Sequence, residues 1–101
     1  MRFLVKVSFQ TEKANEAAKD GFSVIPRILE EQKPEAAYFI TENGKRTAIL
    51  IIDMQDLSQL PAIAEPWFLA LNADVEATPA MVPEDLMKAE ASIRQAVEKY
   101  G

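Results

Sequence analysis

The side chains that could do chemistry are few in this chain, and their absence excludes whole classes of site. The 101 residues contain no histidine and no cysteine, which removes imidazole bases, thiol nucleophiles, histidine-ligated haem and cysteine-based zinc sites. Three glycines are too dispersed to form a phosphate-binding loop, and no serine stands near a credible base. We therefore expect no bound metal and no cofactor.

The densest aromatic segment is Trp67-Phe68, which follows Glu65-Pro66. Aromatic residues at helical spacing belong either to a core or to a pocket wall between a helix and a sheet. The core is the usual place for such residues, whereas Pro66 is the argument for a pocket, because an interrupted helix packs unevenly and leaves gaps. Asn72 is either a helix cap or a polar group directed into that gap. The predicted ligand pocket consists of Trp67, Phe68 and Asn72 with one or more of Phe3, Val5 and Leu50.

The other polar candidates have structural explanations. Tyr38 and Arg46 could orient an anionic or carbonyl ligand, but the expected hairpin pairing places them on opposite faces. Arg46 is then expected in solvent at the hairpin end, with Tyr38 against a partner chain. Asp53 and Asp56 are too few for a dedicated cation site, and helix capping explains Asp56.

Arg2 and Lys6 project from the mixed face of a predicted first strand, in which Phe3, Val5 and Val7 alternate with Arg2, Leu4, Lys6 and Ser8. If a second sheet covers that face, both charges need partners or a water-filled interior. Neighbouring Glu76 or Thr78, or another subunit, could supply those partners. The functional alternative is an anion site inside a barrel.

Asn43-Gly44 is the strongest short-range signal for a β-hairpin. It predicts a strand on each side of the turn and a helical segment beyond each strand. The strand after it, Thr47 to Met54, is apolar on both faces and is expected to be central. A helix, a break and a second helix are predicted before Pro34. A capping box at Asp56 starts the next helix, with a kink or a second helix start at Glu65-Pro66. An edge strand, Val75 to Met81, and a C-terminal helix opened by Pro83 follow; its apolar stripe is Leu86, Ala89, Ile93, Val97 and Tyr100.

The order β-α-β-β-α-β-α resembles the ferredoxin-like arrangement and, within it, the dimeric α+β barrel group. That group includes muconolactone isomerases and cofactor-independent antibiotic-biosynthesis-type monooxygenases. The resemblance covers nearly the whole chain but consists of topology and spacing, so it transfers no catalytic residue. It implies an α+β fold with a four-stranded antiparallel sheet, helices on one face and an added C-terminal helix. The second face would be covered by an identical chain, which predicts a homodimer.

Charge and hydropathy restrict the partners. A net charge of −5 argues against nucleic acid, whose affinity depends on clustered lysine and arginine. The longest apolar run, Ala48 to Ile52, is far shorter than the roughly 20 residues that span a bilayer. Without a signal-peptide pattern we expect a cytoplasmic protein.

The favoured hypothesis is a dimer that binds a small, mostly apolar ligand without catalysis. The alternative is a cofactor-independent monooxygenase or isomerase.

Overall fold

The first strand, β1 (Arg2–Ser8), lies inside a four-stranded antiparallel sheet in the computed structural model, which describes residues 1–101. The sheet order is β2-β3-β1-β4, so the first and third strands are central, as predicted. The remaining elements are α1 (Thr11–Lys19), α2 (Val24–Gln32), β2 (Ala36–Glu42), β3 (Lys45–Asp53), α3 (Leu60–Leu71), β4 (Asp74–Pro79), α4 (Pro83–Lys88) and α5 (Glu90–Tyr100), with one 3₁₀ turn at Leu57–Gln59.

The alternation along β1 separates a buried face from a mixed face. Phe3, Val5 and Val7 are buried, and in register they oppose Ile52, Leu50 and Ala48 of β3, which are also buried. The helices α1, α2 and α3 supply the other half of this core, which includes Ala14, Ile28 and Trp67. The predicted α+β, ferredoxin-like fold with an added C-terminal helical segment is therefore confirmed.

The hairpin between β2 and β3 turns at Asn43 and Gly44. Both residues have positive φ angles, 54° and 74°, as a type I′ turn requires. The resulting register places Glu42 opposite Lys45 and Tyr38 opposite Ile49. Each of these pairings agrees with the pairing predicted from the turn alone.

Helix α3 has no second start at Pro66. The helix runs without interruption from Leu60 to Leu71, with Pro66 inside it. Proline removes one interior hydrogen bond, but Ile63, Trp67 and Leu71 are buried along one side of the helix. That burial holds the segment helical, since tertiary packing supplies most of the stability of a short helix.

The C-terminal segment was predicted as one helix and forms two, which meet at Ala89. Neither α4 nor α5 contains a buried residue. The chain has a radius of gyration of 17.1 Å and extents of 57 × 28 × 20 Å, whereas a compact domain of this length has a radius of about 13 Å. The predicted apolar stripe thus has no partner within the chain.

None of the helices combines the length and the apolar composition that crossing a membrane requires.

A capping box precedes α3, as predicted. The backbone N–H of Ser58 donates to Asp56 Oδ1 at 2.8 Å, and the backbone N–H of Asp56 donates to Gln59 Oε1 at 3.2 Å. The hydrogen bonds from Ser58 lower the pKa of the Asp56 carboxyl below its ordinary value. The charged carboxylate is therefore the form that stabilises the fold.

Replacement of Gly44 by valine tests the turn. A β-branched side chain is strained at positive φ, so the Gly44→Val variant should lose more than about 1 kcal/mol of unfolding free energy. Chemical denaturation of both proteins measures this loss. Gly44→Asn is the matched control, because asparagine tolerates the left-handed region and should retain most of the stability. An unchanged denaturation midpoint for Gly44→Val would contradict the type I′ turn.

Replacement of Asp56 by alanine tests the cap through its pH dependence. Because the folded pKa lies below the unfolded value of about 3.9, the carboxylate stabilises above that value, and this contribution is lost as pH falls through the folded pKa. Asp56→Ala should lower Tm at about pH 7, and the difference should shrink below about pH 4. Glu30→Ala, at an exposed carboxylate without a hydrogen-bond partner, is the control. A Tm difference independent of pH would contradict the role of the charge.

Candidate functional site

The six residues of the predicted pocket lie in two environments. Trp67, Phe3, Val5 and Leu50 are all buried members of one hydrophobic core. Phe68 is 40% exposed on α3. Asn72 is the left-handed C-cap of α3, with φ of 46° and its backbone N–H donating to the Trp67 carbonyl. The structure therefore brings four of the six together and separates the other two; a ligand pocket formed by all six stays a prediction.

Trp67 is fixed by both its polar atom and its ring. Its Nε1–H donates to Gln32 Oε1 at 3.2 Å, and Gln32 Nε2 donates to the Ile63 carbonyl at 2.8 Å. The indole stacks on Phe9, with ring centroids 5.9 Å apart and an interplanar angle of 14°. The side-chain amide of Gln32, on α2, therefore forms hydrogen bonds to both the indole and the backbone of α3, and it holds the two helices together. Burial of Trp67 is complete at 0% exposure.

The largest cavity lies on the other side of Phe9. It has a volume of about 530 Å³ and opens between the α1–α2 connection and the β2–β3 hairpin; we call it the hairpin cavity. Its apolar wall is formed by Phe9, Phe22, Ile25, Pro26, Phe39 and Ile40. Its remaining lining residues are Gly21, Thr41, Arg46 and Thr47. None of the six residues of the predicted pocket is among them.

The backbone is strained on one side of this cavity. Gly21 and Phe22 have φ angles of 63° and 56°, and a bulky residue is a genuine outlier in the left-handed region. The Phe22 N–H donates to the Ala17 carbonyl at 2.9 Å, which closes the end of α1. We call this left-handed segment the Gly21-Phe22 reversal. It places the Phe22 ring beside the cavity, and strain of this kind clusters at functional sites.

Arg46 is the only charged residue of the cavity wall. Its side chain is held from two sides: Nη1 donates to Asn15 Oδ1 of α1 at 2.9 Å, and Cζ lies 5.5 Å from the centroid of the Phe22 ring. Arg46 is exposed, as expected at a hairpin end, but its guanidinium is anchored rather than free in solvent. Tyr38 pairs with Ile49 and lies on the other face of the hairpin from Arg46, as predicted.

Arg2 and Lys6 project from the face of the sheet away from the helices, which also carries Leu4, Ile49 and Ile51; we call it the helix-free face. Arg2 Nε donates to Glu35 Oε2 at 2.9 Å, and this hydrogen bond and the charge of Glu35 raise the pKa of the guanidinium. Lys6 Nζ lies 3.1 Å from Glu42 Oε2. The partners are not Glu76 or Thr78 but two glutamates on the β2 side of the sheet.

Apart from Arg46, the residues of the hairpin cavity are not identified by the sequence analysis, because they come from separated segments. One signal was present: the hairpin register places Phe39 opposite Ala48 and Thr41 opposite Arg46 on one face. A large residue opposite a small one indicates space at that end of the hairpin. No local pattern reveals that the Gly21-Phe22 reversal lies over it.

Comparison with known proteins identifies a family. No curated protein matches the chain, and the structure contains no group of three or more histidine, cysteine, aspartate or glutamate side chains that could hold a metal. A family model described as a domain of unknown function matches residues 1–94, nearly the whole of the chain. The chain therefore belongs to the DUF3303 family.

Proposed function

We propose that the protein is a homodimer that binds a small, mostly apolar ligand in the hairpin cavity, without catalysing a reaction. The observation that carries this proposal is the meeting of Phe9, Phe22 and Phe39 around one opening, although they belong to three different segments. A volume of about 530 Å³ falls within the range of small-molecule sites, which are mainly apolar with a few polar groups.

The lining chemistry supports binding over catalysis. The ten lining residues include no carboxylate, imidazole, thiol, amine or phenol, so no general base contacts the cavity. The Thr47 hydroxyl is already engaged, since it donates to the Lys45 carbonyl at 3.1 Å.

The second candidate function is that of a cofactor-independent monooxygenase or isomerase, whose substrate carries its own reactivity. The strained backbone at Phe22 favours that candidate.

The uncovered side of the sheet supports the homodimer. On the helix-free face, Tyr38 of the edge strand is 63% exposed, and Ile40, which also borders the hairpin cavity, is 43% exposed. Ile49 and Ile51 lie beside them. Contiguous apolar surface of this kind marks an interaction site, and an apolar edge strand without a cover invites association. A second copy offers the same face, which makes an isologous contact the simplest cover.

The C-terminal segment supports assembly independently of the sheet. Leu86 of α4 and Ile93, Val97 and Tyr100 of α5, which belong to the predicted apolar stripe, are between 49% and 87% exposed. An amphipathic helix gains most of its stability from burying such a stripe. In the proposed dimer the partner protomer covers it.

Binding of the neutral fluorophore phenylnaphthylamine tests the cavity. The probe should bind the native protein and change the fluorescence of Trp67, because Trp67 stacks on the cavity residue Phe9. Phe39→Ala should weaken binding by about tenfold, since an aromatic contact contributes about 1 kcal/mol or more. Phe68→Ala, at an exposed phenylalanine outside the cavity, is the matched control. Equal weakening in both variants, or no binding at all, would reject the cavity as the site.

Light scattering of the purified protein tests the dimer. We expect twice the chain mass of 11.3 kDa and an interface of more than about 1,000 Å². Tyr38→Lys places a charge on the helix-free face, outside the hairpin cavity, and should shift the mass towards that of the monomer. Ala37→Lys places the same charge on the opposite face of β2 and should not. A wild-type monomer at micromolar concentrations would refute the proposed assembly.

A further inference from the structure

We infer that the ligand of the hairpin cavity is an organic carboxylate, an apolar ring or chain whose anionic end is bound by Arg46. This inference rests on the proposed function, because it specifies the ligand class of the same cavity. The observation behind it is one cation, anchored but not neutralised, at the edge of an otherwise apolar wall.

The guanidinium of Arg46 retains donors that no protein atom uses. Its only hydrogen bond joins Nη1 to Asn15 Oδ1, which leaves Nε and Nη2 without a protein acceptor. Arg2 and Arg94 differ, because each is paired with a glutamate. Arg46 has no carboxylate within 4.0 Å. A free guanidinium fork matches a carboxylate in a two-bond geometry.

The position of that fork is set before a ligand arrives. Asn15 holds the side chain from α1, and the ring of Phe22 lies 5.5 Å from Cζ, a distance typical of cation–π attraction. Phe22 is itself fixed through its backbone hydrogen bond to Ala17. A preorganised arginine loses less side-chain entropy on binding than a mobile one, so more of the contact energy appears as affinity.

The surroundings strengthen an ionic contact and provide another donor. Phe9, Phe22 and Phe39 displace water from one side of the site, and charges attract more strongly where the local dielectric constant is low. Thr41 lies directly opposite Arg46 in the hairpin and also lines the cavity. Its hydroxyl makes no hydrogen bond within the protein and is available as a second donor to a carboxylate oxygen.

The charge of the whole chain makes this local arrangement selective. The net charge is −5, so the protein as a whole repels anions, yet no aspartate or glutamate lines the hairpin cavity. Within the hairpin cavity, the only charge that an anion meets is that of Arg46. A cationic ligand would face an unpaired guanidinium at close range, which discriminates against it.

A matched pair of probes tests the inference by calorimetry at neutral pH. Naphthoate is a carboxylate, and naphthamide has nearly the same shape without the charge. The native protein should bind naphthoate about tenfold more tightly than naphthamide. Arg46→Gln should remove this preference and leave naphthamide affinity within about twofold. Arg27→Gln is the control, at an exposed arginine outside the cavity, and should retain the preference. Near-ultraviolet circular dichroism of Trp67 establishes that each variant is folded.

The outcomes separate this inference from the function on which it rests. If naphthamide binds as tightly as naphthoate, or if Arg46→Gln retains the preference, the carboxylate assignment is overturned and the apolar site stands. If naphthoate, naphthamide and phenylnaphthylamine all fail to bind, the proposed binding function itself is overturned. Loss of the preference in Arg46→Gln alone, in a folded protein, supports the assignment.

Discussion

Burial of one face of the β1–β3 pair sets both the register of the sheet and the side on which the helices pack. Val5 and Leu50 lie opposite each other in register and are completely buried. A slip of one residue would move every buried side chain of a strand to the other face, so the register and the side that receives the helices are set together. With α1, α2 and α3 on that side, the Gly21-Phe22 reversal comes to lie over the end of the hairpin.

The helices cover the sheet unevenly. Both the proposed ligand binding and the proposed dimerisation depend on this uneven cover. They bury β1 and β3 but leave the edge strand β2 exposed along most of its length. Its apolar side chains therefore have two uses. Phe39, on the helix side, becomes a wall of the hairpin cavity, while Tyr38 extends the helix-free face. Because these residues alternate along one strand, a ligand and a second protomer could occupy opposite faces of β2 at once.

Phe9 connects the core to the candidate site. One side of its ring stacks on the buried indole of Trp67, which is locked by Gln32, and the residue also lines the hairpin cavity. The opposite wall is held by Phe22 in a strained backbone conformation. The cavity thus has one wall supported by the close-packed core and another supported by a reversal between two helices. A site held from both sides presents a ligand with an arrangement formed in advance.

Elements with local causes could be predicted from the order of the amino acids alone. Positive φ at Asn43-Gly44 gives the hairpin its register, alternation marks the buried face of β1, and the Asp56 capping box starts the turn before α3. Tertiary structure decided the rest. Packing of Trp67 and its neighbours kept α3 helical through Pro66, against a local rule. The hairpin cavity unites Phe22, Phe39 and Arg46, and Arg46 is held by Asn15, which lies 31 residues away. Such contacts depend on distances between elements, and periodicity within one segment carries no information about those distances.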